Sequence, residues 1–443
     1  MKNIIIIGAA GRDFHNFNTY YRDNPAYNVV AFTAAQIPDI AGRSYPKELA
    51  GAAYPNGIPI FAQDELEDLI KRFDVDECVF SYSDINYAYV MGVGAKVNAA
   101  GAAFTLLGPK QTMLKSSKPV IAVGAIRTGC GKSQTSRKIV EVLSARGMKV
   151  IAVRHPMPYG DLNAQRVQRF ASLEDLKKYN CTIEEMEEYE PHIASGNVIY
   201  AGVDYADILK AAENDPRGCD VILWDGGNND FPFYKPDLMV TVTDPHRPGH
   251  ELSYYPGEVT LRLADAVVIN KIDSSDFADI QTVRTNIAKL NPHATVIDAA
   301  STITADAPEI IKGKRVLVIE DGPTLTHGNM KIGAGVVAAH RFGASEIVDP
   351  RAYAIGRLRE TYETYPDIGA VLPAMGYGDQ QISDLSKTIE NTPCDCIIVA
   401  TPIDLARLIT MTKPSTRVNY ALQEIGNPTV DTVIGDFLKK QGL

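Results

Sequence analysis

One stretch limits what this chain can fold into more than any other. The apolar run Val120-Ile121-Ala122-Val123 leads into Gly124-Ala125-Ile126-Arg127-Thr128-Gly129-Cys130-Gly131-Lys132-Ser133, and a helical pattern follows from Gln134 to Arg146. A buried strand, a glycine loop and a helix in that order frame a phosphate-binding loop. Gly129 and Gly131 let the backbone curl around Thr128 and Cys130, so that N–H groups face phosphate oxygens. The helix N-terminus adds free donors and a favourable dipole. Lys132 is placed to reach the β and γ phosphates, and Ser133 to coordinate Mg²⁺. The first glycine of G-x-x-x-x-G-K-[ST] falls at Ile126, so the entry to the loop departs from the usual pattern.

Two further motifs agree with a nucleoside triphosphate site. Val221-Ile222-Leu223-Trp224 is an apolar strand ending in Asp225, and a carboxylate at the carboxyl end of a parallel strand faces the ligand crevice. Asp225 is the expected partner of Ser133 in holding Mg²⁺, and Gly226-Gly227 leave room for a γ-phosphate. Val267-Val268-Ile269 runs into Asn270-Lys271-Ile272-Asp273, the N-K-x-D pattern of guanine-binding proteins. Asp273 would accept from the guanine N1–H and amine, Asn270 would brace the loop, and the Lys271 stem would pack on the base. Arg127 lies where variant phosphate loops of the nitrogenase-iron-protein and MinD group carry a second basic residue.

The remaining pattern is α/β throughout, with short apolar runs alternating with helix-length amphipathic stretches. At 443 residues the chain has room for about two or three domains. An N-terminal Rossmann-like domain is expected over 1–116, a P-loop NTPase domain over 117–312, and a C-terminal α/β region over 313–443 that either extends the P-loop sheet or stands apart. Ser116-Ser117-Lys118-Pro119 reads as the hinge between the first two. In the first unit, Ile4–Ile7 runs into Gly8-x-x-Gly11 with Arg12 behind it. This is either a tight strand–helix turn or a phosphate or substrate contact, and a dinucleotide or coenzyme A is one candidate ligand.

The formal charge is −10, from 44 basic and 54 acidic residues, which argues against a general nucleic-acid or anionic-membrane binder. No run of roughly 18 apolar residues is present, and Ile4–Ile7 is too short for a signal-peptide core. The six cysteines show no disulfide or zinc spacing, which fits a reducing cytoplasm. The acidic stretch Glu184–Glu190 reads as a solvated helix face.

Three more strand ends carry candidate contacts for a second substrate. Val150–Val153 ends in Arg154-His155. Leu238–Val242 ends in Thr243-Asp244-Pro245-His246-Arg247-Pro248-Gly249-His250, for which zinc is the competing reading. Arg315–Ile319 leads to Glu320-Asp321-Gly322-Pro323-Thr324-Leu325-Thr326-His327, where Asp321 is a candidate for a second metal and Thr324 and His327 for phosphate. Transfer between anions requires neutralisation of like charge more than it requires a strong base. Arg127, Arg154, His155, Arg247 and His250 suit that task, arginine because its fork grips phosphate bidentately.

Taken together, Arg127–Ser133, Arg154–Gly160, Trp224–Asp230, Asp244–His250 and Glu320–His327 resemble cyclic 2,3-diphosphoglycerate synthetase and the predicted P-loop GTPases related to it. The resemblance spans nearly the whole chain. It implies Mg²⁺-dependent formation of an intramolecular phosphoanhydride driven by ATP, whereas Asn270–Asp273 points to GTP. A regulatory or assembly GTPase acting on a protein partner is the alternative. The expected partners are a small anionic phosphorylated substrate and a second copy of the chain as a homodimer, with no nucleic acid and no membrane.

Overall fold

The computed structural model describes residues 1–9, 11–35, 42–154, 160–227, 230–326, 333–375 and 379–443, without the side chains of Pro323, Thr324 and Asp379. His155 and His327 therefore lie outside the described residues, as does the Thr324 side chain.

Two large sheets organise the chain. In the first, strands run in the order Ser44–Tyr45, Ile58–Ala62, Tyr27–Ala34, Lys2–Ile7, Glu77–Phe80 and Ala103–Thr105. All neighbours are parallel except the short Ser44–Tyr45 edge. Ile4 to Ile7 are wholly buried because helices cover both faces of this central strand, which is why it reads as unbroken isoleucine rather than as an alternating pattern.

The second sheet has 13 strands among the described residues. Val120–Ala125 lies at the heart of its first half, between Val221–Trp224 and Leu238–Thr243, parallel to both. Val150–Arg154 and Ala266–Ile269 flank these in turn. Thr295–Ala305 is far longer than the Thr295–Ile297 that its apolar residues suggest. Its second half pairs antiparallel with Ser415–Glu424. Through that pairing the sheet continues into Cys396–Ala400 and Arg315–Asp321, so residues beyond 313 extend the P-loop sheet. The last helix, Val430–Gln441, folds back. Its Ile434, Phe437 and Leu438 share a core with Ile139, Val140 and Leu143 of the helix Lys132–Ala145.

The seam between the first sheet and the P-loop sheet is tightly filled. The Arg12 Nε donates to Asp230 at 2.6 Å, and its guanidinium lies 3.8 Å over the Phe231 ring. His15 stacks on Phe233 with centroids 4.1 Å apart, and its Nε2 meets the Thr112 carbonyl at 2.6 Å. Ser116 and the Ser117 N–H both bind Glu213, so the expected hinge is anchored at its centre.

Arg12 thus belongs to this seam. The Gly8–Gly11 turn holds a carboxylate of its own: Asp13 Oδ1 accepts from the Gly11 and Phe14 N–H groups at 2.9 and 2.7 Å. A Cβ at Gly8 would stand 2.6 Å from Asp13 Oδ2, so the glycine is there to admit Asp13.

His15 carries a pH signature. Burial and the neighbouring Arg12 lower it from 6.5 to about 3. As pH falls through 6.5 the unfolded chain takes up a proton that the folded chain refuses, so stability falls, by up to about 1.4 kcal/mol per pH unit. In His15→Phe this contribution disappears. Chemical denaturation between pH 6.5 and 4.5 is expected to show a shallower loss of stability than wild type, and an identical slope would clear His15 of the effect.

Candidate functional site

Parallel pairing of Val221–Trp224 with Val120–Ala125 sets Asp225 beside the phosphate loop. Asp225 is 1% exposed. Its Oδ1 accepts from Lys132 Nζ at 2.6 Å and from Ser136 Oγ at 2.7 Å, and its Oδ2 accepts from His192 Nε2 at 3.2 Å. Its backbone carbonyl accepts from Arg154 at 3.1 Å, and Arg154 is also paired with Glu188. Burial alone would discourage the charge on Asp225. Lys132, His192 and Arg154 outweigh it and hold the carboxyl well below the usual range. Burial, with Arg154 close by, lowers Lys132 in turn, while Asp225 opposes that shift.

The phosphate loop is braced through its carbonyls. Asn270 Nδ2 donates to the Cys130 carbonyl at 2.8 Å, Lys271 Nζ to Gly129 at 2.6 Å, and Arg247 to Thr128 at 2.8 Å. Asp244 ties the two cations together, 2.9 Å from Lys271 and 3.1 Å from Arg247. Two of the loop N–H groups are also engaged, Thr128 with Asp84 at 3.2 Å and Cys130 with the Arg127 carbonyl at 3.3 Å. Gly131 is left-handed at φ 107°, and a Cβ there would lie 2.1 Å from Asn270 Nδ2, so both its backbone conformation and its neighbour demand glycine. Gly226 has a similar constraint, since a Cβ would meet the buried Trp224 indole nitrogen at 2.1 Å. Burial raises the Cys130 thiol to about 11, which keeps it protonated.

The other sequence candidates fall into two groups. Arg154 joins Lys132 at Asp225. Arg127 instead pairs with Asp84 of the N-terminal unit, lies 3.8 Å over the Tyr254 ring, and is 2.9 Å from His250 Nδ1. Burial, Arg127 and Arg247 lower His250 to about 4, so it is neutral near pH 7. Asp273 is exposed, and its Oδ1 accepts from the Ser301 N–H at 3.1 Å.

Asp321 ends the strand Arg315–Asp321. No three His, Cys, Asp or Glu side chains converge on a metal point among the described residues. A magnesium arriving on a triphosphate needs little from the protein, because phosphate and water oxygens fill most of its shell. The Ser133 hydroxyl and Asp225 are the residues that would hold it, with an Asp225 oxygen released by Lys132, Ser136 or His192.

Sequence reasoning missed Ser136, His192, Glu188 and Asp84. Ser136 lies one turn beyond Lys132, on the same helix face, which was the one available signal. The solvated reading of Glu184–Glu190 is overturned. Glu184, Glu185, Glu187 and Glu190 are 2–7% exposed, because Ile183–Ala194 is clamped between the P-loop sheet and the C-terminal strands.

The Lys132–Asp225 pair yields a two-step prediction. Lys132→Met leaves a buried carboxylate short of its main cation, at a cost of about 3 kcal/mol or more. It lowers Tm and abolishes nucleotide turnover. Adding Asp225→Asn recovers most of the lost stability and none of the turnover. Thermal unfolding of the three proteins checks this, and a double variant no more stable than Lys132→Met would refute the coupling.

No family model matches the chain. Arginine synthetase ArcE of Thermococcus kodakarensis is 62% identical over 438 residues, covering 99% of this chain and 97% of that protein. That relative is named for arginine, not for cyclic 2,3-diphosphoglycerate. Among solved structures, LpxK of Aquifex aeolicus in complex with ATP is 12% identical, with a TM-score of 0.44, covering 84% of this chain and 99% of that one. The hydrogenase maturation factor HypB of Archaeoglobus fulgidus is 13% identical, with a TM-score of 0.23, covering 48% and 89%. At 62% identity over nearly its full length, the chain belongs to the family of arginine synthetase ArcE.

Proposed function

We propose that this chain is an NTP-driven ligase that completes the guanidinium group of arginine. The observation that carries the reading is the convergence of Lys132, Arg154 and His192 on Asp225 beside a phosphate loop, in a relative of a protein named arginine synthetase.

A guanidinium is a ureido group whose oxygen has been replaced by nitrogen. That oxygen leaves poorly, and transfer of a γ-phosphoryl group onto it makes phosphate the leaving group. The ureido oxygen of citrulline attacks the γ-phosphorus and the bond to NDP breaks. Ammonia then adds to the phosphorylated carbon, hydrogen phosphate departs with one ammonia proton, and arginine remains. Lys132 and the loop N–H groups hold the triphosphate. Arg154, 6% exposed, neutralises the group in flight. Ser133 and Asp225 would hold magnesium, which supplies charge neutralisation on the phosphate oxygens.

Formation of a cyclic phosphoanhydride on 2,3-diphosphoglycerate needs the same triphosphate site and is the competing reading. Purified protein with Mg·ATP or Mg·GTP is given citrulline plus ammonium, or 2,3-diphosphoglycerate. Arginine, NDP and phosphate in equal amounts are expected from the first pair. No arginine with either nucleotide sinks the proposal. A cyclic anhydride signal by ³¹P NMR would replace it, and turnover that requires a protein partner would favour a regulatory GTPase.

Base choice is a separate question at the same site. Asn270 and Lys271 hold the loop whichever purine binds, so within the N-K-x-D motif the base-reading role falls to Asp273. Asp273→Asn is expected to narrow any preference for GTP over ATP, by roughly tenfold if the carboxylate pairs with guanine. Competition of the two nucleotides for one fluorescent analogue measures it, and an unchanged ratio would show that Asp273 does not contact the base.

A further inference from the structure

The phosphate loop lacks the first glycine of its motif, and Ile126 stands there instead. Its entry is fixed from two sides. On the P-loop side, the Ile126 N–H donates to the Val242 carbonyl at 3.0 Å, and a Cβ on Gly257 would run into the Ile126 carbonyl. On the other side stands Asp84 of the N-terminal unit, just past the carboxyl end of the strand Glu77–Phe80. One of its carboxylate oxygens accepts from Arg127 Nε, and the other accepts from the Thr128 N–H at 3.2 Å. The side chains of Asp84 and Arg127 are 7% and 2% exposed, so solvent screens the pair little.

Asp84 is itself held in place. Its backbone is left-handed, at φ 60°, a conformation that aspartate tolerates better than most residues. Ile85 and Asn86 pair antiparallel with Tyr255 and Tyr254. The Tyr87 N–H donates to the Ser253 carbonyl at 2.9 Å, and its hydroxyl to Glu258 at 2.6 Å. The same Tyr254 carries the Arg127 guanidinium on its ring face and stacks on His250 with centroids 4.5 Å apart. His250 Nδ1 in turn accepts from Arg127. Asp84, Arg127, His250, Tyr254 and the Ile85–Asn86 ladder thus close a ring of contacts, and a shift of one is felt by the others. Thr128 is pinned at both its polar groups, the N–H by Asp84 and the carbonyl by Arg247. A trans peptide points its C=O and the following N–H to opposite sides, so the Arg247 bond also sets the direction of the Gly129 N–H.

We propose that Asp84 is a positioning residue for nucleotide binding: through Arg127 and the Thr128 N–H it imposes on the loop entry the shape that the missing glycine leaves unset. The N-terminal unit is then part of the triphosphate site, acting on the phosphates through the loop. This rests on the triphosphate reading of the site and not on arginine as the product.

Trp224 is the chain's one tryptophan and is buried next to Asp225, so its fluorescence reports binding without turnover. It is titrated with adenylyl and guanylyl imidodiphosphate, which resist hydrolysis, and Tm is measured alongside. The full-length proteins are wild type, Asp84→Asn, Asp84→Ala, Arg127→Met, the double variant Asp84→Asn/Arg127→Met, and the exposed control Asp68→Asn. Asp84→Ala loses both contacts and is expected to raise Kd about tenfold or more, a fraction of what breaking a buried pair costs. Asp84→Asn keeps an acceptor for the Thr128 N–H and is expected to fall between Asp84→Ala and wild type. In the Arg127→Met background, Asp84→Asn is expected to cost nothing further, because the charge that it removes has already lost its partner. Asp68→Asn is expected to match wild type. If Asp84→Ala does not fold, the milder Asp84→Asn carries the test. A lowered Tm with Kd unchanged in the Asp84 variants would make Asp84 a residue of the seam alone and overturn the proposal. So would an Asp84→Asn effect on Kd that persists undiminished in Arg127→Met. Wild type that binds neither analogue overturns the triphosphate reading itself, and this proposal with it.

Discussion

The ion pair between Lys132 and Asp225 is the constraint around which the rest of the molecule is arranged. Both groups are removed from water, and the desolvation of two charges exceeds what a single contact returns. The fold answers with additional partners: Ser136 from the next turn of the same helix, His192 from a distant helix, and Arg154 from the neighbouring strand. Each comes from a different element, so the position of Asp225 fixes the packing of three of them. Two cations, Lys132 and Arg154, face two carboxylates there, Asp225 and Glu188. Both cations are thus paired, and a triphosphate would have to compete with those carboxylates for them.

The loop itself depends on residues far from it in sequence. Its carbonyls are occupied by Asn270, Lys271 and Arg247, and its first basic residue by Asp84 from the N-terminal unit. Asp84 also accepts from the Thr128 N–H at 3.2 Å. The N-terminal sheet therefore shapes the phosphate loop directly. With Arg12 and His15 filling the seam, displacement of one unit relative to the other would be felt at Arg127 and Thr128.

Some of this was legible in the sequence. Val221–Trp224 is read with its observed bounds and Ala266–Ile269 to within one residue, because a fully buried strand announces itself through a short apolar run. The strand–loop–helix at 120–145 was equally local. What escaped reading was decided by partners remote in sequence. The helix Ile183–Ala194 has an apolar stripe at Ile183, Met186, Tyr189 and Ile193, and its carboxylates look solvated on any helical wheel. They are buried because Thr401 and Arg407 cover them from more than 200 positions away. At the Gly8–Gly11 turn the glycines show that something approaches the backbone but not what, and beside Gly8 it is the chain's own Asp13.

The same helix resolves an apparent conflict of charge. A site for a triphosphate should not border a cluster of buried carboxylates, since like charges at short range in low dielectric repel strongly. Here Arg154 separates them. It is paired with Glu188 on the acidic side and bonded to the Asp225 carbonyl on the phosphate side. The guanidinium thus stands between the phosphate loop and the acidic face of the helix. In the proposed reaction, a phosphoryl group moving toward the ureido oxygen would be met by Arg154 rather than by a carboxylate.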